Sequence, residues 1–226
     1  SFGVQDFDLE VQKRINRIQP PELLDKILRI CKDKDVILIA DEVMTGFGKT
    51  GKNFASDYML QQPDIISLSK ALTAGFVPMG ITSCTQKIYD AFLDDSIGKA
   101  FFHAHTYSAN PIACAAAIAG IDLLNSKEIK ENIIRIIDSH KEFNKRILKH
   151  PKVKTTRQLG VIYALDLNIE MDRYGTKRYE IFNHFMEAGV YLRPLGNTIY
   201  ILAPYVTTEK ELNTVYTSIY KLLEKI

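Results

Sequence analysis

Residues 38–51, LIADEVMTGFGKTG, run from an apolar stretch into two carboxylates and then into a glycine-rich turn. Residues 36–40, VILIA, form a continuous apolar run, which is typical of a parallel strand covered on both faces. Asp41 stands where this predicted strand ends, and a carboxylate that is buried there needs a cationic partner. The rest of the sequence must supply that partner, or Asp41 is only a turn residue.

The composition is that of an ordinary globular protein, with 226 residues of which 46% are hydrophobic and 25% charged. A net charge of +2 gives no support to nucleic-acid binding. No apolar run reaches the length of a membrane span, so we predict no membrane partner. The three scattered cysteines are predicted to be reduced thiols in the core of a cytoplasmic protein.

Alternating helical and extended patterns predict an α/β unit followed by an α+β unit, with a boundary near residue 150. A capping box formed by Thr208 and Glu211 predicts the start of the last helix. The other predicted elements are a helix from Pro21, strands at 36–40, 64–68 and 78–84, helices at 109–124 and 127–150, a strand at 160–167, and two strands within 189–205 about a turn at 195–197.

Lys70 follows the second predicted strand, in the segment SLSKALTAGF at 67–76. Ligand sites in open α/β sheets gather at the carboxyl ends of strands, and both Asp41 and Lys70 fall there. Pyridoxal phosphate needs such a pair, because a lysine holds it as a Schiff base and a carboxylate faces its protonated ring nitrogen. On spacing alone, a turn carboxylate and a solvated lysine remain the alternative.

Three segments, at 38–51, at 67–75 (SLSKALTAG) and at 103–117 (HAHTYSANPIACAAA), together resemble the class III, or ω-type, aminotransferases over nearly the whole of residues 23–225. The resemblance implies an α/β fold of the fold-type I pyridoxal-phosphate-dependent transferases. Residues 1–150 would be the C-terminal part of the large cofactor-binding domain. Residues 151–226 would be the small C-terminal α+β domain.

The resemblance also implies roles for the residues that match the cofactor site. Asp41 would pair with the ring nitrogen, and Val43 would pack on one face of the ring. Lys70 would be the Schiff-base lysine and the proton shuttle. His105 would help to bind the cofactor, and Thr106 would reach the cofactor phosphate of the neighbouring subunit in a homodimer with shared active sites.

The tail LRPLGNTIYILAPY, at 192–205, resembles the members of the class that act in biotin biosynthesis. Those members convert 8-amino-7-oxononanoate to 7,8-diaminononanoate, with S-adenosylmethionine as the expected amino donor, although some relatives use lysine. Arg193 would bind the carboxylate of the oxononanoate, and Tyr200 would lie near the same pocket. Ala104 replaces the usual glycine at a substrate contact, and Lys49 replaces an arginine that is commoner in the wider class.

The sequence argues against two other kinds of site. The HAH motif at 103–105 could be half of a metal site, but no third cluster of ligands appears in the sequence, so we predict no metal. The segment GFGKTG lacks the first glycine of a P-loop, which argues against a nucleotide triphosphatase. Another class III aminotransferase, acting on ω-amino acids or ornithine derivatives, and a non-catalytic remnant remain the alternatives.

The resemblance further implies a preceding stretch, with the cofactor's phosphate cup, that residues 1–20 do not match. We therefore expect the sequence to be N-terminally incomplete and inactive alone.

Overall fold

The computed structural model describes residues 21–171 and 175–226. Over these residues the helices and strands are α1 (Pro21–Asp33), β1 (Ile39–Asp41), β2 (Ile65–Leu68), β3 (Ile81–Cys84), α2 (Gln86–Asp90), α3 (Pro111–Asn125), α4 (Lys127–Ile147), β4 (Val153–Leu159), β5 (Ile162–Leu167), α5 (Lys177–Glu187), β6 (Thr198–Leu202) and α6 (Glu209–Lys225). Short 3-10 helices at Ala55–Tyr58 and Lys70–Thr73 flank the first sheet. The strands form two separate sheets, β1-β2-β3 and β4-β5-β6.

The first sheet has β1 parallel to β2, and β3 antiparallel to β2. One of its faces is covered, because Leu68 packs with Phe47, Leu72 and Ala117 of α3 in a small core. The prediction of a strand covered on both faces is wrong, since the strand is only three residues long and Ile39 is 61% exposed. Local apolarity predicts the strand, but its coverage depends on partners from elsewhere in the chain.

The second sheet is antiparallel, with β5 in its centre. As predicted for a half-exposed strand, burial alternates along β5, and Tyr163, Leu165 and Leu167 are fully buried. The core on this face also contains side chains of α4, α5 and α6, so the long helix before residue 150 packs with the C-terminal sheet. This is the larger of the two apolar clusters in the described parts of the chain.

The predicted helix starts agree with the structure. Asn110 caps α3, because its side-chain oxygen accepts hydrogen bonds from the backbone N–H groups of Ile112 and Ala113. The predicted capping box of α6 is confirmed, since the Thr208 hydroxyl accepts from the Glu211 N–H and the Glu211 carboxylate accepts from the Thr208 N–H at 2.7 Å. Polar side chains therefore fix where both helices begin.

Several features differ from the sequence predictions. Strand β4 and helix α5 were not predicted, because β4 is largely polar and α5 has only two fully covered positions, Ile181 and Phe185. Residues 189–205 contain one strand, β6, instead of the two predicted. The segment before β6 is extended and pairs with it only through a single bridge between Leu195 and Thr198. The cysteines are not core residues, since Cys84 is exposed on an open strand and the other two are half-buried, although all three are free.

The glycine-rich turn after β1 is held against the second sheet. The N–H of Val161 donates to the carbonyl of Lys49 at 3.0 Å, and the hydroxyl of Tyr205 donates to the carbonyl of Phe47 at 2.6 Å. A Cβ on Gly160 would lie 2.2 Å from the carbonyl carbon of Thr50, so only glycine fits in the β4–β5 turn. This contact fixes the C-terminal sheet relative to the end of β1.

Candidate active site

Asp41 and Lys70 lie at the carboxyl ends of neighbouring parallel strands, as the sequence predicts. Asp41 is the last residue of β1 and pairs with Ser67 of β2, and Lys70 follows the end of β2 by two residues. The N–H of Glu42 donates to the carbonyl of Ser67 at 3.0 Å, which extends the pairing beyond Asp41. The sheet therefore brings an amine and a carboxylate to one edge, where ligand sites of such sheets are found.

Asp41 itself is exposed at the strand end, so its carboxylate is not buried among the residues that the structure describes. It shares the open face of the first sheet with Ile39, and its Oδ1 accepts a hydrogen bond from the N–H of Val43 at 3.0 Å. Among the residues that the structure describes, no group donates a hydrogen bond to Oδ2. The carboxylate is thus oriented by the backbone, with its second oxygen open to a ligand.

The buried carboxylate of this segment belongs to Glu42, which sequence reasoning did not single out and which is only 2% exposed. Its Oε1 accepts from the N–H of Ser56 at 2.6 Å, and its Oε2 accepts from the N–H of Ala55 at 3.0 Å and from the Thr45 hydroxyl at 2.5 Å. Burial acts to raise the pKa of Glu42, but the hydrogen bonds from Thr45, Ser56 and Ala55 outweigh it and hold the pKa below its usual value. The local sequence gives no signal for this burial, because two of the donors come from residues 55 and 56.

Lys70 begins a 3-10 helix in a left-handed backbone conformation, with φ of 45°. A residue with a Cβ is strained there, so its surroundings must hold the turn in place. The hydroxyl of Ser69 donates to the carbonyl of Met79 at 2.6 Å, and that of Thr73 to the carbonyl of Val77 at 2.5 Å. A Cβ on Gly120 of α3 would lie 3.0 Å from the Leu72 carbonyl, so the helix packs directly on this turn.

The segment at 101–109 is exposed along its whole length and contains Ala104, His105 and Thr106. The Nδ1 of His105 accepts a hydrogen bond from the N–H of Tyr107 at 3.1 Å, which orients the ring. Within the described chain, no hydrogen bond or ion pair joins these three residues to Asp41 or Lys70. Their predicted roles at the cofactor stay predictions.

Arg193 and Tyr200 line one cleft of about 480 Å³, between the extended segment before β6, strand β6 and the start of α6. Both side chains are exposed, and Tyr191 and Thr207 line the same cleft. The structure therefore brings the two predicted substrate residues together, at a site whose lining does not include Asp41 or Lys70. Tyr191 was not singled out from the sequence, although it shares the alternation that exposes Arg193.

Lys49 is half-buried in the turn between the sheets, with its Nζ 4.4 Å from the centre of the Tyr205 ring. Burial lowers the pKa of Lys49 below its usual value. The interaction of the ammonium with the ring joins the turn to the segment that follows β6, in addition to the Tyr205 hydrogen bond.

Two further observations concern metals and membranes. In residues 21–171 and 175–226, no group of three or more His, Cys, Asp or Glu side chains is arranged to hold a metal ion. No helix in the same residues has the length and apolarity needed to cross a membrane.

Sequence comparison identifies the family. The family described as "Aminotransferase class-III" matches residues 16–223. The chain is 40% identical over 215 residues to the adenosylmethionine-8-amino-7-oxononanoate aminotransferase of Synechococcus elongatus, covering 93% of this chain and 49% of that protein. It is 38% identical over 205 residues to the enzyme of the same name from Geobacter sulfurreducens, covering 87% of this chain and 45% of that protein.

Solved structures give the same result. The crystal structure of adenosylmethionine-8-amino-7-oxononanoate aminotransferase from Methanocaldococcus jannaschii is similar with a TM-score of 0.82 and 33% identity, covering 92% of this chain and 50% of that one. A pyridoxal-phosphate-bound amine transaminase from an uncultivated Pseudomonas species has a TM-score of 0.81 and 29% identity, covering 92% of this chain and 49% of that one.

The chain spans about half the length of the curated relatives that it matches. The matched residues include the two strand ends with Asp41 and Lys70 and the cleft with Arg193. The fold is that of the fold-type I aminotransferases. The chain therefore belongs to the class III aminotransferase family.

Proposed function

We propose that this chain carries the catalytic lysine and carboxylate of a pyridoxal-phosphate-dependent aminotransferase. Its amino acceptor would be 8-amino-7-oxononanoate, in biotin biosynthesis, and S-adenosylmethionine would be the amino donor. The relatives with this name support the substrates, and the matched family supports the reaction class.

The observation that carries the proposal is the conformation of Lys70. Lys70 has φ of 45°, which is unfavourable for a residue with a side chain and is found mainly at functional sites. It follows the end of β2, beside the end of the parallel strand β1 at Asp41. This arrangement places an amine and a carboxylate where a ligand can reach both. This donor set fits pyridoxal phosphate, which requires an amine for its aldehyde and an anion for its ring nitrogen.

Each of these residues would have a defined task. Lys70 would hold the cofactor through its Nζ and move a proton to and from the substrate carbon. Asp41, oriented by the N–H of Val43, would keep a proton on the ring nitrogen, and Val43 would lie against the ring. His105 and Thr106 would contribute from the exposed segment. When bound, pyridoxal phosphate supplies a ring that accepts the electrons released as the proton leaves.

Substrate recognition is proposed for the cleft that Arg193 and Tyr200 line together. A guanidinium forms two parallel hydrogen bonds with a carboxylate, which suits the single carboxylate of 8-amino-7-oxononanoate. The phenol of Tyr200 offers a donor and an apolar ring in the same cleft. Ala104 would contact the substrate from the exposed segment, where its methyl group narrows the space that a glycine would leave.

Assembly and location are also proposals. Thr106 is exposed, which agrees with a role at the cofactor phosphate of a neighbouring subunit in a homodimer. We propose a large cofactor-binding unit up to residue 150, a small C-terminal unit at 151–226, and a cytoplasmic location.

The test is covalent labelling of the lysine. The chain is incubated with pyridoxal phosphate at saturating concentration, reduced with borohydride and digested, and the modified peptide is identified by mass spectrometry. We expect the pyridoxyl group on Lys70. Lys70→Ala should remove the label, while Lys87→Ala, which changes another exposed lysine, should leave it on Lys70. A label spread over surface lysines, or none, would contradict the proposal.

Turnover then separates the substrate classes. In the enzyme that contains this chain, 8-amino-7-oxononanoate should be aminated at the expense of S-adenosylmethionine. Amination of ω-keto acids or ornithine derivatives in its place would favour the other class III activities. Labelled Lys70 without turnover of either class would favour a non-catalytic protein.

A further inference from the structure

Glu42 connects the end of β1 to a segment more than ten residues away. Its buried carboxylate accepts backbone hydrogen bonds from Ala55 and Ser56, at the start of the 3-10 helix Ala55–Tyr58. Its own carbonyl accepts from the N–H of Gly46 at 3.0 Å. Both ends of the glycine-rich loop between residues 43 and 55 are therefore tied to this one residue.

Glu42 also lies between Asp41 and Val43, the two residues that a hydrogen bond joins. Oδ1 of Asp41 accepts from the N–H of Val43, and Glu42 is the residue that separates them. The N–H of Glu42 is itself fixed by the carbonyl of Ser67. The direction of the Val43 N–H, and with it the orientation of the Asp41 carboxylate, thus depends on how Glu42 is held.

We propose that Glu42 is a positioning residue for Asp41. By anchoring the loop through its buried carboxylate, Glu42 holds the Val43 N–H at Oδ1 of Asp41 and leaves Oδ2 free, where it would meet the cofactor's ring nitrogen. The inference rests on the proposed function, because it takes the ring nitrogen as the partner of Asp41. Glu42 does not touch the cofactor in this proposal and acts only through the loop.

A carboxylate is needed at this position because both of its oxygens serve as acceptors. Oε1 takes the Ser56 N–H, and Oε2 takes the Ala55 N–H and the Thr45 hydroxyl. A glutamine has one acceptor oxygen, so its amide NH₂ would face a backbone N–H on one side. A buried donor without an acceptor is unfavourable, and the loop must move to relieve it.

The first test follows amide hydrogen exchange in the full 226-residue chain by NMR. In Glu42→Gln, we expect the Val43 amide to exchange about tenfold faster, the factor expected for loss of one hydrogen bond. The matched control is Asp57→Ala, which removes the acceptor of the Phe54 N–H in the same loop and should leave Val43 unchanged. Exchange at Val43 within twofold of wild type, with Ala55 and Ser56 accelerated, would overturn the proposal.

A milder variant covers the case in which Glu42→Gln does not fold. Thr45→Val removes one hydroxyl donor to Glu42 and keeps the carboxylate. It should accelerate exchange at Val43 by about threefold, since one of several hydrogen bonds to the carboxylate is lost. No change at Val43 in this variant would also overturn the proposal.

The second test asks whether Glu42 acts through Asp41. In the enzyme that contains this chain, affinity for pyridoxal phosphate is measured from the visible absorbance of the bound cofactor, in wild type, in Glu42→Gln, in Asp41→Asn and in the double variant. We expect Glu42→Gln to weaken binding in the wild-type background and to change it less than twofold in Asp41→Asn. Equal effects in both backgrounds would overturn the positioning role. If no variant, wild type included, binds the cofactor, the proposed function fails, while the exchange result still decides whether Glu42 holds Val43.

Discussion

Replacing Gly160 with alanine should separate the two sheets at the point where they meet. The added Cβ would lie 2.2 Å from the carbonyl carbon of Thr50, 2.3 Å from the nitrogen of Gly51 and 2.4 Å from the carbonyl oxygen of Lys49. All three are backbone atoms, so no side-chain rotation can relieve the overlap. The turn must move away, and the hydrogen bond from Val161 to Lys49 is then lost.

The expected loss of stability is the sum of three effects. Alanine at φ of +58° is less stable than glycine by about 1–2 kcal/mol. Overpacking adds about 1–3 kcal/mol, and the lost hydrogen bond adds about 0.5–1.5 kcal/mol. We therefore expect the free energy of unfolding of Gly160→Ala to fall by about 3–6 kcal/mol, a large part of the 5–15 kcal/mol typical of domains.

The assay is urea unfolding followed by far-UV circular dichroism, with Gly196→Ala as the matched control. Gly196 has almost the same backbone angle, φ of +60°, but nothing lies within 4 Å of the Cβ position. It should therefore lose only the conformational part, about 1–2 kcal/mol. Equal losses in the two variants would refute the close contact between the turns.

Three other predictions follow from the structure. His140 is fully buried, and burial lowers its pKa to about 4 from 6.5, so its contribution to stability is complete above pH 6.5 and is lost as the pH falls toward 4. Between pH 7 and pH 5, the free energy of unfolding of wild type should therefore fall by about 2 kcal/mol more than that of His140→Gln. An equal fall in the two proteins would contradict this. Arg193→Ala should raise KM for 8-amino-7-oxononanoate by about tenfold or more and leave KM for the donor nearly unchanged, because one charge-assisted interaction is lost, and similar changes for both substrates would rule out the role. Thr208→Ala should lower the free energy of unfolding by about 1 kcal/mol through loss of the α6 cap, whereas Thr214→Ala, at an exposed position inside the same helix, should change it by less than half of that.

The sequence predicts well those elements whose signal is contained within their own residues. The cap of α6 needs only Thr208 and Glu211, and the alternation of β5 needs only its own residues, so both are found where they were predicted. The two strand ends with Asp41 and Lys70 follow from apolar runs that stop at a polar residue. All these signals lie within a few residues along the chain.

The remaining features depend on contacts between distant segments. Asp41 is exposed and Glu42 is buried, because Glu42 meets the N–H groups of Ala55 and Ser56 from the next loop. Adjacent carboxylates at a strand end give no sign of which one turns inward. Likewise, β4 is recognisable as a strand only through its pairing with β5, since its own sequence is mostly polar.

The aromatic packing around α4 also determines the near-UV circular dichroism of the protein. The chain has 11 tyrosines and no tryptophan. Among the residues that the structure describes, the buried tyrosines are Tyr163 and Tyr216. Tyr216 stacks on Phe143 with ring centres 4.2 Å apart, and Tyr163 stacks on His140 at 5.4 Å. Chromophores fixed in this way give near-UV circular dichroism, so the tyrosine part of that band reports mainly on the C-terminal core. Far-UV and near-UV melting curves that coincide would mean that both sheets unfold as one cooperative unit, and a gap between the curves would mean that the C-terminal core does not unfold together with the rest of the chain.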